Sequence, residues 1–158
     1  MDISRYRLID RVTKRSLADQ SIECVSHVDG SSVLYEGHFP GYPIFPGTMQ
    51  VEIVAQCLGF LALELSEYCR LPVLIGVNRS RFRRPLIPGS NVVCRATVTY
   101  MTDRMVAGSG ELFVGGQAIA AAELQLGLTS FPNLQTKAAL TEFARTLFQA
   151  AGGEDGNE

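Results

Sequence analysis

Residues 48–68 read TMQVEIVAQCLGFLALELSEY. The stretch holds no proline, and its apolar residues Met49, Val51, Ile53, Val54, Cys57, Leu58, Leu61 and Leu65 fall on nearly every face of a helix. A helix that is apolar all round is covered on all sides, so this segment predicts a long buried helix at the centre of the fold. Pro46-Gly47 opens it. Upstream, residues 30–46 are too rich in Gly, Pro and Ser for regular structure.

Outside this helix the pattern changes to strands. Residues 7–12 and 21–28 alternate modestly between apolar and polar. After Leu71-Pro72, residues 73–83, 92–102, 105–114 and 117–128 form strand candidates, with Gly115-Gly116 fitting a two-residue hairpin turn. One buried helix with several antiparallel strands predicts an α+β domain, a sheet wrapped around the helix. Such a sheet leaves an edge strand, which invites dimerisation by strand pairing. Residues 136–150 form a second, amphipathic helix with Leu140, Phe143, Ala144, Leu147 and Phe148 at helical spacing and Thr136 as the expected N-cap. The expected organisation is a domain over residues 1–132, a helical extension over 133–151 and a disordered polar tail over 152–158.

Composition narrows the classes of function. The 158 residues suffice for one core, with 46% hydrophobic and 19% charged residues, an ordinary globular balance. No uninterrupted apolar run suggests a membrane span, and the first residues, with Arg5, Arg7 and Arg11, lack a secretory h-region. Cys24, Cys57, Cys69 and Cys94 form no CxxC pair, so free thiols in the cytoplasm are expected, and no metal or other cofactor is implied. The net charge of −2 argues against broad nucleic-acid binding. Twelve of the fourteen basic residues are arginine, and Arg79, Arg81, Arg83 and Arg84 form a local cluster suited to an acidic partner.

The chemistry concentrates in GHFPGYPIFPGTMQVEIVAQ, residues 37–56. His38 lies in a loop stiffened by Pro40, Pro43 and Pro46, and Glu52 lies inside the apolar helix. Burial of a carboxyl tends to raise its pKa, and such a group beside an imidazole makes a usable acid/base pair. The first amides of the helix are free of helical partners and carry partial positive charge, so they can hold a developing oxyanion. By itself, a histidine in a loop with a glutamate on a helix is commonplace.

The order of the residues is not commonplace. The segment resembles the signature of the 3-hydroxyacyl-acyl carrier protein dehydratases of fatty-acid synthesis, GHFPGxPxxPG followed by an acidic residue and a Gln on the central helix. Arg81-Phe82-Arg83-Arg84-Pro85, Pro88-Gly89 and the opening Tyr6-Arg7-Leu8-Ile9-Asp10-Arg11-Val12 extend the likeness over roughly residues 6–128. The resemblance implies the hot-dog fold and a dimer in which His38 of one chain meets Glu52 of the other. A trimer of dimers is the larger assembly it allows. It also implies that His38 removes the proton next to the thioester carbonyl, that Glu52 protonates the leaving hydroxyl and that the Gly47 amide polarises the thioester oxygen. Gln56, one turn beyond Glu52, is expected to orient it. Glu rather than Asp at 52 favours simple dehydration to a trans-2-enoyl thioester.

In the same context Phe39, Ile44, Phe45, Val73 and Phe82 are expected to line an acyl tunnel, and Arg79, Arg81, Arg83 and Arg84 to dock acyl carrier protein. His27 reads as a surface residue. The chain departs from the family's usual pattern in four places. Only Met1 to Arg5 stand where the family usually has a helix and a Leu-Pro-His-Arg stretch before the opening strand. Val73 stands where relatives often carry an aromatic residue, Asn78 where an Asp is common, and about thirty residues follow the last strand. The alternatives left open are another acyl-thioester enzyme of the same fold, a thioesterase or a CoA-linked hydratase, and a non-catalytic acyl-binding protein.

Overall fold

The structure, a computed structural model, describes residues 8–29, 38–39 and 41–149. Its elements run β1 (Arg11–Ser16), β2 (Ser21–His27), α1 (Gly47–Leu65), β3 (Leu71–Phe82), β4 (Asn91–Met101), β5 (Met105–Val114), β6 (Gln117–Thr129) and α2 (Leu134–Gln149). The strands form one sheet in the order β1-β2-β4-β5-β6-β3. Every neighbouring pair is antiparallel. The sheet wraps α1, which is the expected α+β hot-dog arrangement.

α1 starts where Pro46 ends the preceding loop, with the Pro46 carbonyl accepting the Met49 and Gln50 amides. It stops at Ser66, after which Glu67 and Tyr68 turn left-handed with φ of 51° and 59°. At 19 residues it is long and apolar enough, by length and composition, to cross a membrane, although Gln50, Glu52, Gln56 and Glu64 interrupt its apolar run. Its place against the sheet explains that composition differently. Ile53, Val54, Cys57, Leu58, Leu61 and Ala62 are at most 1% exposed among the sheet's inner side chains, so this is the core helix. Coverage is not complete, because Glu52, Gln56 and Gly59 share one partly open face.

The strands alternate as a half-buried sheet requires. β4 buries Val92, Cys94, Ala96 and Val98, and β6 buries Ala120, Ala122, Leu124, Leu126 and Leu128. Gly115 and Gly116 carry φ of 55° and 77°, the two positive values that a type I′ hairpin turn demands. The first strand lies further along than expected. β1 begins at Arg11, because the tight 17–20 turn pairs Ser16 with Ser21 and sets the register backward to Arg11 with Val25. Pairing with β2 overrides the weak alternation of residues 7–12.

α2 also begins earlier than expected, and Thr136 is not its cap. The Asn133 side-chain oxygen accepts the Thr136 amide at 2.7 Å, which makes Asn133 the capping residue. Ala144, Leu147 and Phe148 are buried. Arg15 of the edge strand β1 stacks over the Phe148 ring at 4.7 Å and pairs with Glu64 at 3.2 Å. Arg145 lies over Tyr68 at 5.7 Å. The second helix is thus packed beside β1 and the C-terminal half of α1. Residues 1–7, 30–37 and 40 and the tail from residue 150 lie outside the described residues.

Candidate active site

His38 and Glu52 are held by different means. The His38 Nδ1 lies 2.9 Å from the Ile44 carbonyl oxygen. A carbonyl can only accept, so Nδ1 carries the proton and, in the neutral ring, Nε2 keeps its lone pair. The ring of Phe39 meets the imidazole edge-on at 4.8 Å. Phe39 itself sits at φ 58°, a left-handed conformation unusual for a bulky residue, and is 60% exposed. One turn of backbone, closed by the Tyr42 amide on the Phe39 carbonyl, thus brings Ile44 back under His38.

Glu52 is half-buried on the open face of α1. The Gln56 amide nitrogen donates to its Oε1 at 3.0 Å, and the Gln56 oxygen accepts the Leu8 backbone amide at 3.3 Å. The second contact decides the first. With its oxygen occupied by Leu8, the Gln56 amide must turn its NH₂ toward Glu52. One carboxylate oxygen, Oε1, is therefore held by Gln56. This i, i+4 pairing is the arrangement expected from the helix spacing.

A cavity of about 370 Å³ begins at Glu52 and Gln56. It follows α1 past Ala55, Gly59, Phe60 and Leu63. Pro72, Leu74 and Leu126 form the sheet side, and Leu140 and Phe143 come from α2. None of the five residues expected to line a tunnel borders this space within the protomer. Phe45 is 3% exposed, a core residue whose amide bonds the Leu86 carbonyl. Ile44 serves His38 through its carbonyl. Val73 opposes Gly127 on one face of the sheet, while its neighbour Leu74 opposes Leu126 on the other and meets the cavity. Phe82 lies over the first residue of α1, where a side chain at Gly47 would come within 3.1 Å of its ring. Glycine at 47 lets the helix terminus and that ring come together. A signal for the α1 side of this cavity was present in the sequence, since residues 52, 55, 56, 59, 60 and 63 repeat at three- and four-residue spacing.

Gln50 is a polar residue the sequence did not single out. It is 3% exposed, its nitrogen lies 3.5 Å from the Phe45 carbonyl, and its oxygen has no partner among the described residues. It sits where the helix adjoins the loop that carries His38. Arg79 and Arg81 are exposed and line a shallow depression together with Glu111 and Glu123. Arg83 pairs with Glu111 at 3.8 Å, and Arg84 bonds the Gln117 side chain. His27 is exposed and meets Asn91 at 2.8 Å.

A family model described as a FabA-like domain matches residues 3–123. The chain belongs to the FabA-like family. Among FabA-like relatives, it is similar to the 3-hydroxyacyl-[acyl-carrier-protein] dehydratase FabZ of Symbiobacterium thermophilum, at 32% identity over 78% of this chain and 87% of that protein. It is also 31% identical, over 75% of its length, to the bifunctional enzyme LpxC/FabZ of Chlorobaculum tepidum, of which it spans 26%. A solved thioesterase from Haemophilus influenzae superposes with a TM-score of 0.60 at 14% identity, covering 78% of this chain and 80% of that one. The thioesterase shares the fold alone. α2 lies beyond the stretch that the FabA-like model matches.

Proposed function

We propose that this chain dehydrates 3-hydroxyacyl groups carried on acyl carrier protein to trans-2-enoyl thioesters. The observation that carries the reading is the Glu52 carboxyl, clamped by Gln56 at the polar end of an otherwise apolar cavity, in a chain whose His38 keeps Nε2 available. His38 Nε2 takes the proton from the carbon next to the thioester carbonyl. The electron pair forms the new C2–C3 double bond as the C3–O bond breaks. Protonated Glu52 gives its proton to the departing hydroxyl, which leaves as water, and proton return from His38 resets the pair. The Gly47 amide, at the positive end of α1, meets the charge that builds on the thioester oxygen.

The working unit is a homodimer, with a trimer of dimers as the larger assembly. Two features support pairing through β3. It is an edge strand of twelve residues, and it exposes Val73, Ile75, Val77 and Phe82 by 45–61%. His38 is not among the residues lining the Glu52 cavity of its own chain, in keeping with a site shared between protomers. Arg79, Arg81, Arg83 and Arg84 receive the acidic carrier. Four free cysteines support a reducing, cytoplasmic setting.

The test is complementation. His38→Ala and Glu52→Ala should each lower turnover of a 3-hydroxyacyl-carrier substrate on the order of 100-fold or more and leave a folded dimer. Mixing the two with demonstrated subunit exchange should restore activity. Exchange without recovery refutes the shared site. Release of free acid by the wild type, in place of an enoyl thioester, refutes dehydration.

A further inference from the structure

The cavity beside Glu52 has a far end, and that end is built by the helix beyond the matched domain. Along α1 its wall runs from Glu52 through Gln56, Gly59 and Phe60 to Leu63. At 1.5 Å per residue this is a straight run of about 16 Å. Polarity is confined to one end, because Glu52 and Gln56 are the only polar residues among the described residues that line it. At the other end stand Leu140 and Phe143 of α2, with the Phe143 ring tilted against Phe60 at a centroid distance of 5.8 Å.

We infer that α2 is the end wall of the acyl pocket and that Phe143, with Leu140, sets the longest acyl chain the pocket accepts. The inference rests on the dehydratase reading for the identity of the occupant, an acyl chain whose reacting carbons lie at Glu52. Two observations make α2 a fixed barrier. Ala144, Leu147 and Phe148, which follow Phe143 in the helix, are buried, and two cation–π contacts tie the helix to its neighbours, Arg15 of β1 over the Phe148 ring and the helix's own Arg145 over the Tyr68 ring. A chain growing along α1 gains contact with each methylene until it meets the Phe60–Phe143 pair. Beyond that point it must displace packed aromatic side chains. The specificity determinant therefore lies in the added helix, and a relative without that helix would end its pocket elsewhere.

The experiment is a binding ladder. Unreactive alkyl thioethers of pantetheine, lengthened one methylene at a time, are titrated against the wild-type full-length protein by calorimetry. Affinity should tighten about fourfold per methylene and then stop improving at a definite length. In Phe143→Ala the break should move outward by about two methylenes, the space of the lost ring, with the shortest ligands unchanged within twofold. Leu140→Ala should move it in the same direction. If Phe143→Ala loosens α2, Phe143→Leu retains the apolar contact and should give a smaller outward shift. A break at the same length in all three variants overturns the inference, as does an equal loss at every length. Because binding needs no turnover, the two readings fail separately. A wild type that shows the break but never forms enoyl product sinks the dehydratase assignment alone, and an active dehydratase with an unmoved break sinks the end wall alone.

Discussion

Replacing Gly59 by alanine should make the protein more stable and a poorer enzyme for long substrates. Gly59 lies inside α1 at a helical backbone conformation, between Glu52 and the α2 wall. A β-carbon built there meets nothing closer than the Pro72 ring at 3.7 Å, an ordinary van der Waals contact. The change therefore adds no clash, and it removes the conformational cost of glycine in a helix interior, worth about 1 kcal/mol. For a chain of this size that gain raises the melting temperature by roughly 2–4 °C. The same methyl group projects into the cavity and takes the place of about one methylene of substrate. That loss of burial amounts to about 0.8 kcal/mol, or about fourfold in kcat/KM, for acyl chains long enough to pass residue 59. Chains that end beside Glu52 should be unaffected. Thermal unfolding followed by circular dichroism gives the first quantity, and kcat/KM over a ladder of 3-hydroxyacyl thioesters gives the second. A raised melting temperature with an unchanged length profile would refute the placement of the acyl chain along α1. A lowered melting temperature would refute the steric argument itself.

Three further outcomes follow from the charges and thiols. Arg79→Glu combined with Arg81→Glu should slow turnover of carrier-bound substrate far more than turnover of a pantetheine thioester, and salt should shrink the difference; equal losses on both substrates would remove the docking role. At Glu23, burial raises the carboxyl pKa, but hydrogen bonds from Arg95 and Thr13 and the charges of Lys14 and Arg95 outweigh it and hold the group below its ordinary 4.5. Its contribution to stability is present above that value and is lost as pH falls through the lowered one, so acid titration of unfolding should show the advantage over Glu23→Gln fading below about pH 4.5. An advantage independent of pH would contradict the assignment. Burial pushes the Cys57 thiol well above 9.0, with Cys24 and Cys94 buried beside it, while Cys69 is exposed. A chromogenic disulfide reagent should therefore titrate one thiol rapidly in the native protein and all four after denaturation; rapid reaction of several would mean the core is open.

Short-range rules carried the sequence a long way. The proline-free apolar run marked α1, alternation marked the later strands, and Gly115-Gly116 marked the turn, because each depends on neighbours within a few residues. The Glu52–Gln56 contact was legible for the same reason, being one helical turn. The tertiary structure alone decided what required distant segments to meet. Register with β2 placed β1 at Arg11–Ser16. Pairing with β6 turned Leu74, and not Val73, toward the cavity, since a strand's faces differ by a single residue and only its partner fixes which face is inner. The polar end of the cavity was written in a local motif. Its apolar walls join α1, β3, β6 and α2, and the hydrophobic effect that assembles them has no direction that a one-dimensional pattern can record.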